Sequence, residues 1–265
     1  MDATALGGGR SSGLSRIGLI VPSSNTTMET ELPELFARQS SATGHRYTFH
    51  SARARMKNVN RDELLAMVGR AAECAAAVAD ADVDVIAYAC LVAVMAQGAN
   101  AHVESESVIS NAAAATGHPA EVTSSAGALV RTLHRLGVDR IAMLTPYMKP
   151  LTEMVRHYIT ATGIEVLDAI SLEVDDNLAV GRLDPRQLPA IARGLRRDGA
   201  DAVVLSACVQ MPSLPAVQHA EDELGLPVIT AATATAYEIL TSLGHEPAIP
   251  GAGKLMAGAL TAVPL

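Results

Sequence analysis

Two short apolar segments that each end in a cysteine constrain the fold of this chain more than any other feature. The first runs from Asp84 to Cys90 (DVIAYAC) and the second from Asp201 to Cys208 (DAVVLSAC). Apolar runs of this length are typical of strands that are buried on both faces of a parallel sheet. In open α/β sheets, ligands bind at the carboxyl ends of such strands. The sequence therefore predicts that each cysteine lies at a ligand-binding edge.

A second landmark repeats with almost the same spacing, which indicates an internal duplication. Arg16 opens the segment RIGLIVP and Arg140 opens the segment RIAMLTP. These two starts are 124 positions apart, and Cys90 and Cys208 are 118 positions apart. The chain is therefore predicted to form two similar α/β units whose like edges face each other, with both thiols across one cleft.

Strand-like and helix-like patterns alternate between these landmarks, which is typical of βαβ units with parallel sheets. The helical spacing of apolar residues is clear from Arg61 to Ala79, and Asp184 followed by Pro185 predicts a helix start. We predict strands over 16–21, 47–52, 84–90, 120–122, 140–145, 164–169, 201–208 and 227–230, and helices over 28–37, 61–79, 108–115, 124–136, 151–162, 185–197, 216–224 and 237–243.

The predicted domains follow from the duplicated pattern. Residues 1–15 are rich in Gly and Ser, and we predict that they form a flexible tail. Residues 16–122 plus 228–265 are predicted to form the first α/β domain, which carries Cys90, and residues 123–227 the second, which carries Cys208. The expected fold class is α/β, with two pseudo-symmetric Rossmann-like or flavodoxin-like domains, parallel sheets and the site in the cleft between them.

Charge and cysteine content argue against several classes of protein. The formal net charge is −8, and Lys and Arg are scattered, so nucleic acid is not an expected partner. Three widely spaced cysteines do not form a disulfide framework and suit a reducing compartment. We find neither a charged-then-apolar leader nor an apolar run of about 18 residues, so a membrane is not an expected partner. We expect a cytoplasmic protein.

Two thiols that face one cleft can perform chemistry without a metal or an organic cofactor. A thiolate is a nucleophile and a neutral thiol is a proton donor. Both cysteines are predicted at strand-to-helix junctions, where backbone N–H groups favour an anion and lower the pKa of a thiol. A single cysteine of this kind is usually only a small buried residue, but equivalent positions in two units favour chemistry. Cys74, in an alanine-rich helix, is predicted only to pack.

Five segments of the chain, taken in order, resemble the signature segments of the maleate cis-trans isomerases, a family of the Asp/Glu racemase superfamily. These segments are PSSNTTME at 22–29, ACLVAVM at 89–95, LTPYMKP at 144–150, DNLAVGR at 176–182 and SACVQMPS at 206–213. The resemblance extends from about residue 16 to residue 243. It implies an Asp/Glu racemase-like fold, cofactor-independent conversion of maleate to fumarate, and a homodimer.

The resemblance also implies a role for each residue of the site. Cys90 is the nucleophile that adds to one alkene carbon of maleate, and Cys208 donates and accepts a proton at the neighbouring carbon. The substrate is held by the side chains of Asn25, Tyr147 and Asn177 and by the backbone N–H groups of Leu91, Val92 and Val209. Judged by local sequence alone, Asn25 and Asn177 fit turns or helix caps equally well, and Tyr147 fits a packed loop residue.

Three functions remain open from the sequence. The first is a maleate isomerase, as in the breakdown of nicotinate-type pyridines. The second is a two-cysteine racemase or an arylmalonate-type decarboxylase of the same superfamily, although the decarboxylase is expected to use one working cysteine. The third is a binding protein that closes on a diacid without reacting, for which two aligned thiols are not needed.

Apparent metal and nucleotide motifs fail on inspection. The sequence His102-Val-Glu104 is similar to the start of a zinc deaminase signature, but no Pro-Cys-x-x-Cys follows it. The segment 251–254 (GAGK) is similar to the end of a phosphate-binding loop, but Leu255 replaces the required Ser or Thr. The histidines show no ligand spacing, so we expect no metal site.

Overall fold

A computed structural model describes residues 13–260 of the chain. Most of the predicted tail, residues 1–12, lies outside the described residues. Leu14 and Ser15, which were also assigned to the tail, belong to the first strand, where they pair with Arg46 and Tyr47. No helix in the described range is long and apolar enough to cross a membrane.

The first sheet contains four parallel strands in the order β2-β1-β3-β4. These strands are β1 (Leu14–Pro22), β2 (Arg46–Ala54), β3 (Val85–Tyr88) and β4 (Glu121–Ser124). All four residues of β3 are buried, and so are the last six residues of β1. This burial explains why both segments are continuously apolar, because helices cover both faces of a parallel sheet.

The second sheet repeats the first strand by strand. Its strands are β5 (Arg140–Thr145), β6 (Glu165–Ser171), β7 (Ala202–Ser206) and β8 (Val228–Thr230). They are parallel and follow the order β6-β5-β7-β8. The strands that precede Cys90 and Cys208, β3 and β7, therefore hold equivalent places, and the predicted fold class of two duplicated α/β units is confirmed.

The helices of the first half are α1 (Met28–Thr43), α2 (Arg61–Gly69), α3 (Ala71–Ala79), α4 (Leu91–Met95), α5 (Ala101–Ala115) and α6 (Ser125–Arg135). The helix predicted over 61–79 is broken at Arg70, directly after Gly69, which has low helix propensity. Helix α4 was not predicted. It is a single short turn, entirely buried, that starts directly after Cys90.

The helices of the second half are α7 (Lys149–Thr160), α8 (Asn177–Val180), α9 (Leu188–Ala192), α10 (Leu214–Leu224), α11 (Ala231–Ser242) and α12 (Gly253–Met256). The helix predicted over 185–197 is wrong for much of its length, since a 3-10 turn at Pro185–Gln187 precedes α9 and the helix ends at Ala192. Beyond that end, the Arg196 N–H donates to Asp168 Oδ2 at 2.8 Å instead of to a helical carbonyl.

The chain crosses between the two halves at its C-terminal part. Strand β8 pairs with β7 in the second sheet, and α11, which follows it, packs against α6 and α1. The domain boundaries stay a prediction, with one folding domain over residues 16–122 plus 228–265 and the other over residues 123–227.

Candidate active site

Both predicted thiols line one small cavity at the carboxyl ends of β3 and β7. Cys90 is 1% exposed and Cys208 is 4% exposed. The cavity comprises about 260 Å³ of space, part of which is open to solvent. It is lined by Pro22, Asn25, Met56, Val59, Cys90, Val92, Tyr147, Asn177, Cys208, Val209 and Gln210.

Every residue that the sequence singled out for the site lines this cavity except Leu91. The Leu91 side chain is fully buried, and the residue is the first of α4. Sequence analysis did not assign Pro22, Met56, Val59 and Gln210 to the site. A signal for Gln210 was present, because it lies two positions after Cys208 in the SACVQMPS segment. The residues Met56 and Val59 follow β2 and carry no chemical signal of their own.

Cys90 lies at a strand-to-helix junction, as predicted. It is the N-cap residue of α4, with φ −144° and ψ 86°. The first N–H groups of any helix, here those of Leu91, Val92 and Ala93, have no acceptor within the helix. The Ala93 N–H faces the thiol and lowers its pKa, but burial outweighs it, and the pKa of Cys90 rises to about 12. The expectation of a lowered pKa is therefore wrong for the unliganded cleft, because desolvation disfavours the thiolate.

Cys208 does not lie at a strand-to-helix junction, so that prediction is wrong. A loop follows β7, and α10 begins only at Leu214, after Pro212. The loop turns back on the sulfur instead. The Gln210 N–H lies 3.3 Å from Cys208 Sγ, and the Met211 N–H and the Tyr147 hydroxyl also donate to it. These donors lower the pKa of Cys208, but burial is the larger effect and keeps that pKa above its usual value.

Tyr147 lines the cavity and brings a neutral hydroxyl group next to Cys208. It lies between β5 and α7 and is 5% exposed. Burial raises the pKa of Tyr147 well above its usual value, and the neighbouring Cys208 raises it further. The phenol therefore remains protonated and able to donate a hydrogen bond. Tyr147 packs in the loop and also places its hydroxyl group next to Cys208, and its role in the site stays a prediction.

The Asn25 side chain links two segments of the cavity wall. Its Oδ1 accepts hydrogen bonds from the Thr27 N–H at 3.0 Å and the Met28 N–H at 2.9 Å, which is the local turn that the sequence allowed. Its Nδ2 donates to the Val209 carbonyl at 3.0 Å. Asn25 therefore joins the start of α1 to the loop that carries Cys208.

Asn177 is not a helix cap, since Asp176 fills that position and accepts a hydrogen bond from the Ala179 N–H at 2.5 Å. Asn177 is instead the first residue of α8, and its Nδ2 donates to Ser24 Oγ at 2.7 Å. The Asn177 side chain is therefore a hydrogen-bond donor within the cavity wall. The local sequence did not indicate whether Asp176 or Asn177 caps the helix.

The electrostatic character of the cavity is neutral. None of the described residues that line it carries a formal charge. Lys149, the cation nearest to Tyr147 in sequence, is 75% exposed and pairs with Glu173 at 3.3 Å. An anion in this cavity would therefore be held by N–H and O–H groups.

A larger chamber adjoins the thiol cavity and shares Val59, Tyr147 and Asn177 with it. It encloses about 1140 Å³ of space, part of which is open to solvent. Its remaining wall is mostly apolar and is formed by Asn60, Leu64, Ala96, Met148, Pro150, Leu151, Met154, Val174, Asp175 and Val180. The chamber therefore lies directly beside the thiol cavity, with Val59, Tyr147 and Asn177 between them.

The described part of the chain does not cluster the side chains that usually bind metal ions. Within residues 13–260, no group of three or more His, Cys, Asp or Glu side chains is arranged to hold a metal ion. His102, from the incomplete zinc motif, instead places its Nδ1 2.6 Å from the Tyr158 hydroxyl. The chemistry that the site itself offers is that of two thiols and a set of neutral donors.

Comparison with known proteins gives a consistent result over almost the whole chain. The sequence model of the arylmalonate decarboxylase family matches residues 17–256. A maleate isomerase of Geobacillus stearothermophilus is 54% identical over 92% of this chain and 97% of its own length.

Solved structures agree with the sequence comparison. The crystal structure of a Pseudomonas putida maleate isomerase superposes with a TM-score of 0.91 at 48% identity, and covers 93% of this chain and 99% of that one. A cysteine-to-serine mutant of the Nocardia farcinica maleate cis-trans isomerase holds a covalently bound succinylcysteine intermediate. It superposes with a TM-score of 0.89 at 48% identity, over 92% of this chain and 99% of that one.

Proposed function

The chain belongs to the maleate isomerase family, within the wider arylmalonate decarboxylase family, and on that premise we propose that it converts maleate to fumarate without a cofactor. The observation that carries this proposal is the meeting of two buried thiols, Cys90 and Cys208, in one uncharged cavity. The succinylcysteine found in the Nocardia farcinica relative supports a covalent route.

The proposed reaction uses the two thiols in turn. The Cys90 thiolate forms a bond to one alkene carbon of maleate, and the π electrons move toward the other alkene carbon and its carboxylate. Cys208 then gives its proton to that second carbon, so the former double bond becomes a freely rotating single bond. After rotation, the Cys208 thiolate removes a proton from the same carbon, the double bond re-forms, and Cys90 leaves as the thiolate.

The neutral donors of the cavity hold the substrate and the charge that builds up on it. Asn25, Tyr147 and Asn177 supply side-chain donors, and the N–H groups of Leu91, Val92 and Val209 supply backbone donors. Fixed donors of this kind stabilise negative charge as it develops on a carboxylate. Because no ion pair clamps either carboxylate, one of them can swing during the rotation.

The proposed reaction requires a particular protonation state of the two thiols before the substrate reacts. Burial raises the pKa of both thiols, to about 12 for Cys90, so both are neutral in the empty cleft. The reaction needs one thiolate and one thiol. The pair must therefore lose one proton before turnover, and the thiolate that remains is held by the N–H and O–H donors around the two sulfur atoms.

The cellular setting is also part of the proposal. A cytoplasmic, reducing location suits Cys74, Cys90 and Cys208, all of which are free thiols. The large apolar side chains Val103 and Val108 are exposed on α5 and support a homodimer. Sedimentation over a range of protein concentrations measures that dimer directly. Among pathways, the breakdown of nicotinate-type pyridines is the setting we propose.

Proton NMR of the purified protein with maleate in deuterated buffer tests the function. The expected result is a fumarate signal that grows with no added cofactor, and that is lost in Cys90→Ala but retained in Cys74→Ala. Maleate that stays unchanged with the wild-type protein would refute the proposal.

The same kind of NMR experiment with other substrates distinguishes the other reactions of the superfamily. A racemase would exchange the hydrogen next to the carboxylate of an amino acid with deuterium. A decarboxylase would release carbon dioxide from an aryl-substituted malonate. A protein that only binds a diacid would give none of these changes.

A further inference from the structure

Gln210 is a buried amide whose side chain spans three segments of the site. It is 3% exposed. Its Oε1 accepts a hydrogen bond from the Thr26 N–H at 2.9 Å, next to Asn25. Its Nε2 donates to the Asn177 carbonyl at 2.8 Å and to the Ser24 carbonyl at 3.2 Å. One side chain therefore fixes the backbone beside both asparagines of the site.

The backbone of Gln210 fixes the third segment. Its N–H lies 3.3 Å from Cys208 Sγ, and its carbonyl accepts a hydrogen bond from Thr27 Oγ1 at 2.6 Å. The Val209 carbonyl next to it accepts from Asn25 Nδ2. The loop that carries Cys208 is thus joined to the start of α1 through several hydrogen bonds, among them those that Ser213 and Leu214 donate to Glu31, and through Gln210 to the start of α8.

The space next to Gly181 gives independent evidence for the position of the Gln210 side chain. A Cβ atom at Gly181 would lie 2.6 Å from Gln210 Nε2 and 2.6 Å from Thr26 Oγ1. Both distances are too short for unbonded atoms, and the Gln210 amide is already held on several sides. The residue that follows α8 must therefore lack a side chain if Gln210 is to reach across the site.

We infer that Gln210 is a positioning residue, which sets the place of the Cys208 sulfur relative to the two segments that carry Asn25 and Asn177. The inference goes beyond the proposed function but rests on it where turnover is measured. The physical reason is that reactions of held groups are sensitive to displacement, and a shift of about 1 Å can cost a factor of about 100 in rate.

The first test replaces Gln210 with leucine, which is apolar, one atom shorter and unable to make side-chain hydrogen bonds. We expect kcat/KM for maleate to fall by at least about tenfold, with kcat lowered and KM raised, because both the thiol and the substrate-holding segments lose their common support. Gln210→Glu retains an acceptor for the Thr26 N–H but turns an oxygen toward two carbonyl groups, so it is expected not to restore activity. Gln218→Leu, a partly exposed site on α10, is the matched control.

Gly181→Ala tests the same arrangement from the other side, without changing Gln210. We expect it to lower kcat/KM in the same way as Gln210→Leu. The matched control is Gly69→Ala, where an added Cβ meets no atom within 4 Å.

A readout that does not use maleate separates this inference from the proposed function. In a Cys74→Ala/Cys90→Ala background, Cys208 is the only cysteine, and its alkylation by iodoacetamide can be followed against pH. Loss of the Gln210 side chain should loosen the loop around the sulfur, which changes both its N–H donors and its burial, and should therefore shift the alkylation midpoint. A role in stability alone would lower the melting temperature and leave that midpoint in place.

The outcomes are distinct. A shifted alkylation midpoint in Gln210→Leu, together with the loss of turnover, supports the inference. An unchanged midpoint overturns it. If the wild-type protein does not convert maleate at all, the proposed function falls, and the alkylation profile still decides the role of Gln210.

Discussion

Cys90 and Cys208 differ in the number of hydrogen-bond donors that face their sulfur atoms. Cys90 receives the Ala93 N–H, whereas Cys208 receives the Tyr147 hydroxyl and the N–H groups of Gln210 and Met211. Donors of this kind stabilise a thiolate and desolvation opposes it. Two thiols in one cavity therefore have unequal surroundings, which suits a division into a nucleophile and a proton carrier.

The raised pKa of Cys90 predicts how turnover depends on pH. Below about 12 the thiolate fraction of this group rises tenfold for each pH unit. The profile of kcat/KM reports the free enzyme, so we expect its logarithm to rise with a slope near one between about pH 7 and pH 9. A plateau in this range would show that the thiolate is already formed in the unliganded enzyme.

The same shift predicts the opposite trend for stability. An unfolded thiol has a pKa near 8.5, and the folded Cys90 has a pKa of about 12, so the folded state binds the proton more tightly. Its contribution to the free energy of unfolding is full below about pH 8.5 and is lost as pH rises toward the folded pKa. We expect the melting temperature to fall less steeply above about pH 8.5 in Cys90→Ala than in the wild-type protein.

At the level of elements, a single glycine controls how close a helix lies to the first sheet. A Cβ atom at Gly18, in β1, would lie 2.2 Å from Val78 Cγ1 of α3 and 3.3 Å from Ile86 Cγ1 of β3. Helix α3 can therefore pack closely on the centre of the sheet only while position 18 has no side chain. Strand β3, which leads to Cys90, takes part in the same close packing through Ile86.

We predict that Gly18→Ala destabilises the protein by about 1–3 kcal/mol, the usual cost of overpacking a core. Chemical denaturation monitored by circular dichroism measures this free energy of unfolding. Gly69→Ala is the control, because an alanine there meets open space. If Gly18→Ala proved as stable as the control, the close contact between β1 and α3 would not be a constraint on the fold.

The sequence predicted the regular elements well, because burial leaves a recognisable pattern of apolar residues. Strands β1, β3, β5 and β7 were predicted from their continuous apolar runs, and those runs are the strands covered on both faces. The short helices α4 and α8 and the break at Arg70 were missed, since a few residues give no period to detect.

The site was predicted in part for a related reason. Chemical groups that follow a strand directly, such as Cys90 and Cys208, can be placed from the strand alone. The path of the loop after Cys208 cannot, because its N–H groups turn toward the sulfur through contacts with residues distant in sequence, such as Thr27. Gln210 was missed for the same reason, since its partners lie in two other segments.

At the scale of the whole molecule, duplication explains how one cavity gains two thiols. The two sheets have the same strand order, and β3 and β7 hold equivalent places in them. Each unit therefore delivers its cysteine from the same structural position, and the two meet where the units face each other. The loops that follow have diverged, one into helix α4 and the other into an irregular turn, and this divergence makes the two thiols chemically unlike.

The most direct test of the account is to trap the covalent intermediate. In Cys208→Ser, Cys90 should add to maleate and solvent should supply the proton to the second carbon, but no thiolate is present to remove that proton again, so the adduct should persist and intact-protein mass spectrometry is expected to show an increase of one maleate. Peptide mapping should place the addition on Cys90, and Cys90→Ser should show no increase. An adduct found on Cys208 in Cys90→Ser, or the absence of any adduct on Cys90 in Cys208→Ser when the wild-type protein turns over, would contradict the assignment of Cys90 as the nucleophile.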